Sequence, residues 1–463
     1  MTNMPSKILR QPPAGGTSLG QVATWGLPVA IVLAAVAHFS PLAASVGFIL
    51  IFVALCARQP RIGLMLTFAT VPLLQAVPLH IPLHLSISEL CMAILLPIVL
   101  IKSAQMGKPL RIGPTLWPTV IYLFFCLVSS ALYPHWHLEA LKAYVEMFVF
   151  VIIAPMLGAS FPGGTDDLHF ALEGAAGALA IFAILVLATH FHYPPGNNKN
   201  AAWGSSFGAG FAITFELWLA AKIAGRRRAI RWLGVALLLI GAALFMTLSR
   251  GGWLEAITGC MVILLLRRRF VLMARMAVVM LPLLVLLYLF LPHKQQHYAF
   301  DFNPNAGNLK PRIQLIHFAS KEFENHPVLG VGVGLRKVVD PTNVFMITLA
   351  ETGIQGLAAF LAIYTVALIT AWNTHKKLSP ADPRFTLVAL GAALIFGRFV
   401  HGMVDEYWLR GSIEWAWCAV GMLAAVHFEV SQRRPAQTLI PRRAPNAIAD
   451  SPQQKPTPSP STD

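Results

Sequence analysis

Arg250 and Arg312 are the residues whose positions best suit the binding of an anion. Arg250 lies in LSRGGWL between two apolar runs, where an ionisable side chain is costly and marks a functional site. Arg312 opens the stretch RIQLIHFASKEFEN, and a helix beginning there adds unpaired N–H donors to a guanidinium that forks onto phosphate oxygens. The plain alternatives are an arginine that snorkels to the interface at Arg250 and a solvated loop arginine at Arg312.

Histidines supply the candidate bases. His401 and Asp405 are four residues apart, a spacing that suits either a base with its orienting carboxylate or a local hydrogen bond at a helix end. His-x-His pairs occur at 135–137 and 190–192, but no Cys or carboxylate completes a metal-ligand set beside them. We therefore expect no metal and no cofactor.

Three glycines two residues apart, Gly330, Gly332 and Gly334, lie in HPVLGVGVGL. No predicted strand precedes them and no Lys-Ser/Thr follows, so neither a dinucleotide-binding turn nor a P-loop is indicated. Because glycine lets backbones approach closely, the series predicts a tight, close-packed return of the chain toward the membrane.

One long polar segment, residues 292–341, contains Arg312, the three glycines and four histidines. Within it, apolar residues recur at spacings of three and four, which predicts a short amphipathic helix over about 312–325. Asn308 and Pro311 are start signals, and Pro327 is a stop signal. Such a helix beside a bilayer is expected to lie in the interface with its apolar face down.

The rest of the chain is typical of a polytopic membrane protein. Of its 463 residues, 56% are hydrophobic and only 12% charged, about half the charged share of a soluble domain. The five cysteines all fall in apolar runs and are expected to be packing residues. Runs long enough to cross a bilayer predict an all-α fold of about fourteen transmembrane helices with one large periplasmic loop. The predicted spans are 23–40, 42–57, 62–79, 87–102, 115–133, 140–159, 168–190, 204–222, 231–249, 252–266, 270–291, 343–371, 385–403 and 411–430.

Basic residues set the predicted orientation. The formal charge of +15 is not one patch, which disfavours nucleic acid as a partner; it is spread over short loops that alternate along the chain. Positive loops stay in the cytoplasm, so both termini are predicted to be cytoplasmic. The predicted segments are a tail over 1–22, a transmembrane domain over 23–430, the periplasmic loop 292–341 within it, and a disordered tail over 431–463.

Three elements resemble the O-antigen ligase and polymerase superfamily. LSRGGWL (248–254) is similar to that family's Ser-Arg-Gly element at a helix end. The second element, 312–334, resembles its pattern of Arg, short helix and Pro-Leu-Gly-x-Gly. Thr342-Asn343, followed after nine residues by GIQG (353–356), resembles the ligase motif, although the family's His is Thr342 here. The likeness covers mainly 240–430; elsewhere only the hydrophobic spans agree.

This resemblance implies an inner-membrane glycosyltransferase of GT-C-like architecture. Its donor would be a glycan on undecaprenyl diphosphate, and its acceptor a lipid, a glycan or a protein, with polymerase and ligase both open. Arg250 and Arg312 would stabilise the diphosphate leaving group. With Thr at 342, the base would be His326, His317, His401 or Asp405, or else the chemistry needs no strong base. His326 is the first choice, because it lies in the same polar segment as Arg312, fourteen residues further on. The predicted catalytic residues are Arg312, Arg250, His326 and His401, and the predicted substrate-binding residues are Asn343, Gly330, Gly332 and Asp405.

Two other functions stay open from the sequence. A transporter or flippase would need ionisable residues near the middle of the membrane, for which Glu146 and Glu216 are candidates, but no internal repeat supports it. A non-catalytic family member is the third hypothesis, and Thr342 is its main support.

Overall fold

The computed structural model describes residues 40–73, 86–108, 111, 113–133, 137–189, 198–290, 309–339, 343–404 and 413–432, with isolated positions among 28–39 and at 293 and 296. Within these ranges the regular elements are helices, with no strand among them. The predicted span 23–40 and the tails 1–22 and 433–463 fall largely or wholly outside them. The all-α character expected from the sequence is confirmed.

Sixteen α-helices are labelled here in chain order across the described ranges. They are α1 Pro41–Arg58, α2 Pro60–Thr70, α3 Ile87–Gln105, α4 Leu116–Leu132, α5 His137–Phe148, α6 Ala154–Ser160, α7 Thr165–Thr189, α8 Asn198–Ile223, α9 Arg227–Met246, α10 Arg250–Leu266, α11 Phe270–Phe290, α12 Leu309–Asn325, α13 Leu335–Val338, α14 Val344–His375, α15 Pro383–His401 and α16 Ile413–Gln432. A π-helical segment, Val149–Ile153, joins α5 to α6 into one rod.

Eight of the described helical stretches are long and apolar enough to cross a membrane, and three shorter ones are apolar. Each predicted span from 42–57 onward contains a helix in the structure. The chain is therefore a multi-pass helical membrane protein. The remaining spans of the predicted fourteen stay predictions, as does the side of the membrane on which each end lies.

Side-chain caps explain where several helices begin. Ser86 and Glu89 form a reciprocal capping box at the start of α3. The Asn343 side chain accepts hydrogen bonds from the N–H groups of Phe345 and Met346 and so caps α14. Ser249 caps α10 in the same way, through Gly252 N–H. Each cap satisfies N–H groups that no helical carbonyl can reach.

Polar contacts define one end of the helix bundle, called here the basic end. Lys102 donates to the carbonyl of Arg58, and Arg111 forms an ion pair with Glu429. Arg267 pairs with the buried carboxylate of Glu216. All the predicted cytoplasmic loops that the structure describes meet at this end, as the alternation of basic residues requires.

The other end of the bundle contains the candidate site residues and is called here the catalytic end, after the role that the sequence predicts for them. Tyr133 at the end of α4 contacts His326. Val344 N–H at the start of α14 donates to Gly402 O, just after α15, and so links these two helices. Ser88 of α3 donates to Glu414 of α16 at 2.7 Å. The predicted periplasmic segments thus lie together, opposite the basic end.

The predicted helix in the long polar segment is present as α12. It begins at Leu309 and ends at Asn325, two residues before Pro327. The helix packs against α14, and Ala319 is the only residue of α12 that is fully buried. Residues 292, 294, 295, 297–308, 340 and 341 of the segment lie outside the described ranges.

Candidate functional site

Three chain segments converge on the turn that follows α15, residues 401–404, called here the 401–404 corner. Arg312 Nη1 donates to Val404 O at 3.0 Å, and Asn343 Nδ2 donates to Met403 O at 2.9 Å. Val344 N–H donates to Gly402 O at 2.8 Å. The structure therefore brings together Arg312, Asn343 and His401, which are far apart in sequence.

His401 is fully buried at this corner. Its Nδ1 lies 2.5 Å from Oε2 of Glu255 on α10. Arg398, one turn earlier, donates to Ser205 Oγ at 2.8 Å and lies 3.9 Å from the same carboxylate. Because buried charges are stable only when paired and hydrogen-bonded, these groups form one unit joining α8, α10 and α15.

The predicted pairing of His401 with Asp405 lies partly outside the described residues, since Asp405 is not among them. Within the described part, the carboxylate that orients the His401 ring is Glu255. That contact spans 146 positions along the chain, so no local spacing could have indicated it.

Arg250 is the first residue of α10 and is partly buried. The start of this helix packs closely against α8, because a Cβ at Gly252 would overlap the backbone of Gly204. Glu255 lies five residues further along α10. Arg250 is therefore at the catalytic end, on the helix that supplies the carboxylate to His401.

His326 has a different neighbour. Its Nδ1 lies 2.6 Å from the Tyr133 hydroxyl oxygen, and the two rings meet edge to face with centroids 4.5 Å apart. The His326 side chain keeps part of its surface exposed, whereas His401 has none. A hydrogen bond to one ring nitrogen fixes the orientation of an imidazole and leaves the other nitrogen for chemistry.

The glycine series packs onto a break in helix α14. At Gly353, the backbone leaves helical geometry with φ 66° and ψ −170°. Gly332 N–H donates to Glu351 O at 2.9 Å, and Ile354 N–H donates to Pro327 O at 3.0 Å. Gly330 and Gly332 have φ of 68° and 92°, which other residues rarely adopt. The close packing predicted from the glycines is found.

A buried ion pair holds this contact. Arg336 of α13 pairs bidentately with the Glu351 carboxylate, and both side chains are nearly inaccessible. Ser129 Oγ donates to Glu351 O at 2.5 Å, and Lys337 Nζ donates to Glu146 at 2.6 Å. The segment 326–339 is therefore fixed to α4, α5 and α14 by backbone and charged contacts together.

Several residues of the site were not predicted from the sequence: Glu255, Arg398, Tyr133, Arg336 and Glu351. Three of them could have been found from the sequence, because Glu255, Glu351 and Arg398 are ionisable residues within apolar runs, a pattern that marks candidate functional positions. Tyr133 carried no such signal. Among the predicted groups, Thr342, Asp405 and the pair 190–192 lie outside the described residues, as does most of 135–137.

These features define the class: a helical multi-pass membrane protein in which the candidate site residues lie together at one end of the bundle, beside a broken helix. Residues 235–361 match the family model described as O-antigen ligase. The match begins within α9 and ends in α14, so it includes Arg250, Arg312, His326 and Gly353. It confirms the resemblance to the O-antigen ligase and polymerase superfamily. No curated protein matches the chain.

Proposed function

We propose that this protein is a glycosyltransferase that transfers or polymerises a glycan from an undecaprenyl-diphosphate-linked donor at the catalytic end of the bundle. Membership of an O-antigen ligase family fits a role in the assembly of surface polysaccharide. The observation that carries the proposal is the 401–404 corner, where Arg312, Asn343 and His401 meet.

We assign Arg312 and Arg250 to stabilising the charge on the leaving group. When the acceptor hydroxyl attacks the anomeric carbon, a new C–O bond forms and the bond between that carbon and the phosphate oxygen breaks. The electron pair stays on the diphosphate, whose developing charge needs fixed cations. Arg312 and Arg250 lie at the same end of the bundle and can supply them, and a guanidinium suits a diphosphate because it binds two oxygens at once.

The proton of the acceptor hydroxyl must pass to a base, and His326 fits this role better than His401. His401 is enclosed, with Nδ1 held by Glu255. His326 remains partly accessible, and only one of its ring nitrogens is engaged by Tyr133. We therefore assign His326 as the base and His401 as a residue that positions the 401–404 corner.

The remaining predicted substrate contacts take different roles. Gly330 N–H donates to His326 O at 2.9 Å, which closes the loop, and Gly332 N–H donates to Glu351 O, which fixes the loop to α14. We assign these glycines to the shape of the loop that presents His326. Asn343 caps α14 and fixes the corner to it. Asp405 stays a predicted substrate contact.

The test is a binding and transfer assay on the purified protein in lipid nanodiscs. We expect Arg312→Ala and Arg250→Ala each to lower turnover about 10²- to 10³-fold, as for the loss of a charge-stabilising donor. Both should also weaken binding of undecaprenyl diphosphate but not of undecaprenol. Lys321→Ala is the matched control, because Lys321 is an exposed cation on the same helix as Arg312. Wild-type turnover in either arginine variant removes that residue from the site.

The transporter hypothesis finds less support in the structure. Its two candidate carboxylates are both paired: Glu146 with Lys337, and Glu216 with Arg267. A carboxylate that carries protons or ions through the membrane must release such a partner. The hypothesis of a non-catalytic member rests on Thr342 and predicts that the purified protein binds undecaprenyl diphosphate without turnover.

A further inference from the structure

Four arginines surround one tryptophan at the start of α9, at the basic end. They are Arg226, Arg227, Arg228 and Arg231, and with Trp232 they form what is called here the arginine hollow. Two adjoining surface depressions, both open to solvent and of about 350 and 660 Å³, are lined by these residues together with Ala229 and Val235. The four arginine side chains are exposed, and Trp232 is half-buried between them.

The positive charge of the hollow is poorly balanced by the protein. Arg226 lies 3.7 Å from Glu173, and no carboxylate in the described part of the chain lies within 4.0 Å of Arg227, Arg228 or Arg231. Three of these cations occupy the first turns of a helix, where the helix dipole favours anions, and Arg227 and Arg231 repel each other at a spacing of four. A bound anion would offset both the unfavourable interaction of the arginines with the helix dipole and the repulsion between Arg227 and Arg231.

Apolar surface continues from the hollow along the same face of α9. Val235 and Leu238, four and seven residues after Arg231, have 57% and 76% of their surface exposed. Across the turn, Lys222 Nζ lies 5.0 Å from the centre of the Trp218 ring and adds a further cation beside an aromatic ring. Tryptophan and basic residues above an exposed apolar stripe match a phosphate headgroup with an acyl chain below it.

We propose that the arginine hollow binds an anionic phospholipid, with the lipid phosphate on Arg227, Arg228 and Arg231 and an acyl chain along Val235 and Leu238. The site lies at the opposite end of the bundle from the candidate catalytic residues, so it does not depend on the proposed glycan transfer. A free phosphate would use the arginines but not the apolar stripe, and this difference separates the two ligands.

The experiment is native mass spectrometry of the full-length protein exchanged into vesicles of phosphatidylglycerol or phosphatidylcholine. The variant is Arg227→Gln with Arg228→Gln. The control is Arg268→Gln with Arg269→Gln, two exposed arginines in another loop at the basic end. Each arginine near an anionic surface multiplies affinity about fivefold, so the hollow variant should bind phosphatidylglycerol about 30-fold more weakly.

The proposal requires retention of at least one phosphatidylglycerol by the wild type and by the control, loss of it in the hollow variant, and no retained phosphatidylcholine. Unchanged thermal unfolding in phosphatidylcholine would show that the hollow variant is folded. Equal loss in both double variants would mean non-specific attraction to basic loops and would overturn the site. Displacement of the lipid by inorganic phosphate at millimolar concentration would also overturn it, in favour of a soluble anion.

Discussion

At the scale of single residues, the structure places in different surroundings the two histidines that the sequence offered as the base, of which His326 was its first choice. His401 is enclosed by Glu255 and Arg398, which makes it part of the internal framework. His326 is partly exposed and is held at one nitrogen by Tyr133. Because a base must reach the acceptor hydroxyl, we propose His326 as the base.

We expect His326→Ala to lower kcat by a factor of about 10² to 10⁴, the usual contribution of general acid–base catalysis. KM should change little, because the base acts in the transition state. Tyr133→Phe should cause a smaller loss of kcat and a changed pH–rate profile, since it keeps the ring contact but removes the hydroxyl that orients the imidazole. Steady-state kinetics on the purified protein measure both.

His317→Ala is the matched control, because His317 is an exposed histidine on α12 and precedes His326 by nine residues. It should keep wild-type kinetics. If His326→Ala also keeps wild-type turnover, the base is another group. If Tyr133→Phe lowers kcat with an unchanged pH–rate profile, Tyr133 has only a packing role.

At the scale of elements, the sequence predicted helix α12 and the close packing of the glycine series, but not the contact of that series with α14. The period of apolar residues predicted α12, and Pro327 predicted its end. The glycine series predicted a close approach without indicating the partner. The partner is the break in α14 at Gly353, which the sequence shows as the first glycine of GIQG in a long apolar run, without indicating a break there. Irregular backbone within a membrane-spanning helix is stable when other protein groups form its hydrogen bonds, and here the segment 326–339 does so.

We expect Gly353→Ala to detach this segment. Its φ of 66° with ψ of −170° is accessible almost only to glycine and costs another residue about 1–3 kcal/mol. A Cβ there would also overlap the carbonyl of Val328. The variant should therefore show a lower Tm and faster proteolysis between 326 and 339, measured in the same detergent as the wild type.

Gly177→Ala is its control. Gly177 lies within α7, and no neighbouring atom is within 4 Å of a Cβ built there. Alanine in a helix interior is more stable than glycine by about 0.5–1 kcal/mol, so this variant should keep or raise the Tm. If the Gly353→Ala variant is as stable and as protease-resistant as Gly177→Ala, the break at Gly353 is not needed to hold the segment 326–339 on α14.

At the scale of the whole molecule, three helices carry a polar cluster at each of their ends. At the basic end, Arg267 after α10 pairs with Glu216 of α8 and donates to Thr386 of α15. At the catalytic end, Glu255 of α10 meets Arg398 and His401 of α15. Removing one partner of a buried pair costs about 3–5 kcal/mol, so these clusters fix the register of α8, α10 and α15.

The sequence could predict this arrangement only in part. The alternation of basic loops indicated which helix ends lie together, because that pattern depends on charge along the chain alone. The pairing of Glu216 with Arg267 could not be predicted, since a buried carboxylate shows only that some partner exists. The choice among partners depends on helix packing, which the apolar faces of these spans do not specify individually.

The last prediction concerns the orientation of the whole bundle. The five cysteines are buried, so a single introduced cysteine should be labelled over a low background. Lys321 on α12 and Lys377 after α14 are exposed and lie at opposite ends of the bundle. We expect Lys321→Cys to react with a membrane-impermeant thiol reagent in cells whose outer membrane alone is permeabilised. Lys377→Cys should react only after lysis of the inner membrane, because the positive-inside rule predicts that the basic end faces the cytoplasm. The reverse pattern would place the candidate site in the cytoplasm and would be incompatible with transfer on the outer face of the inner membrane.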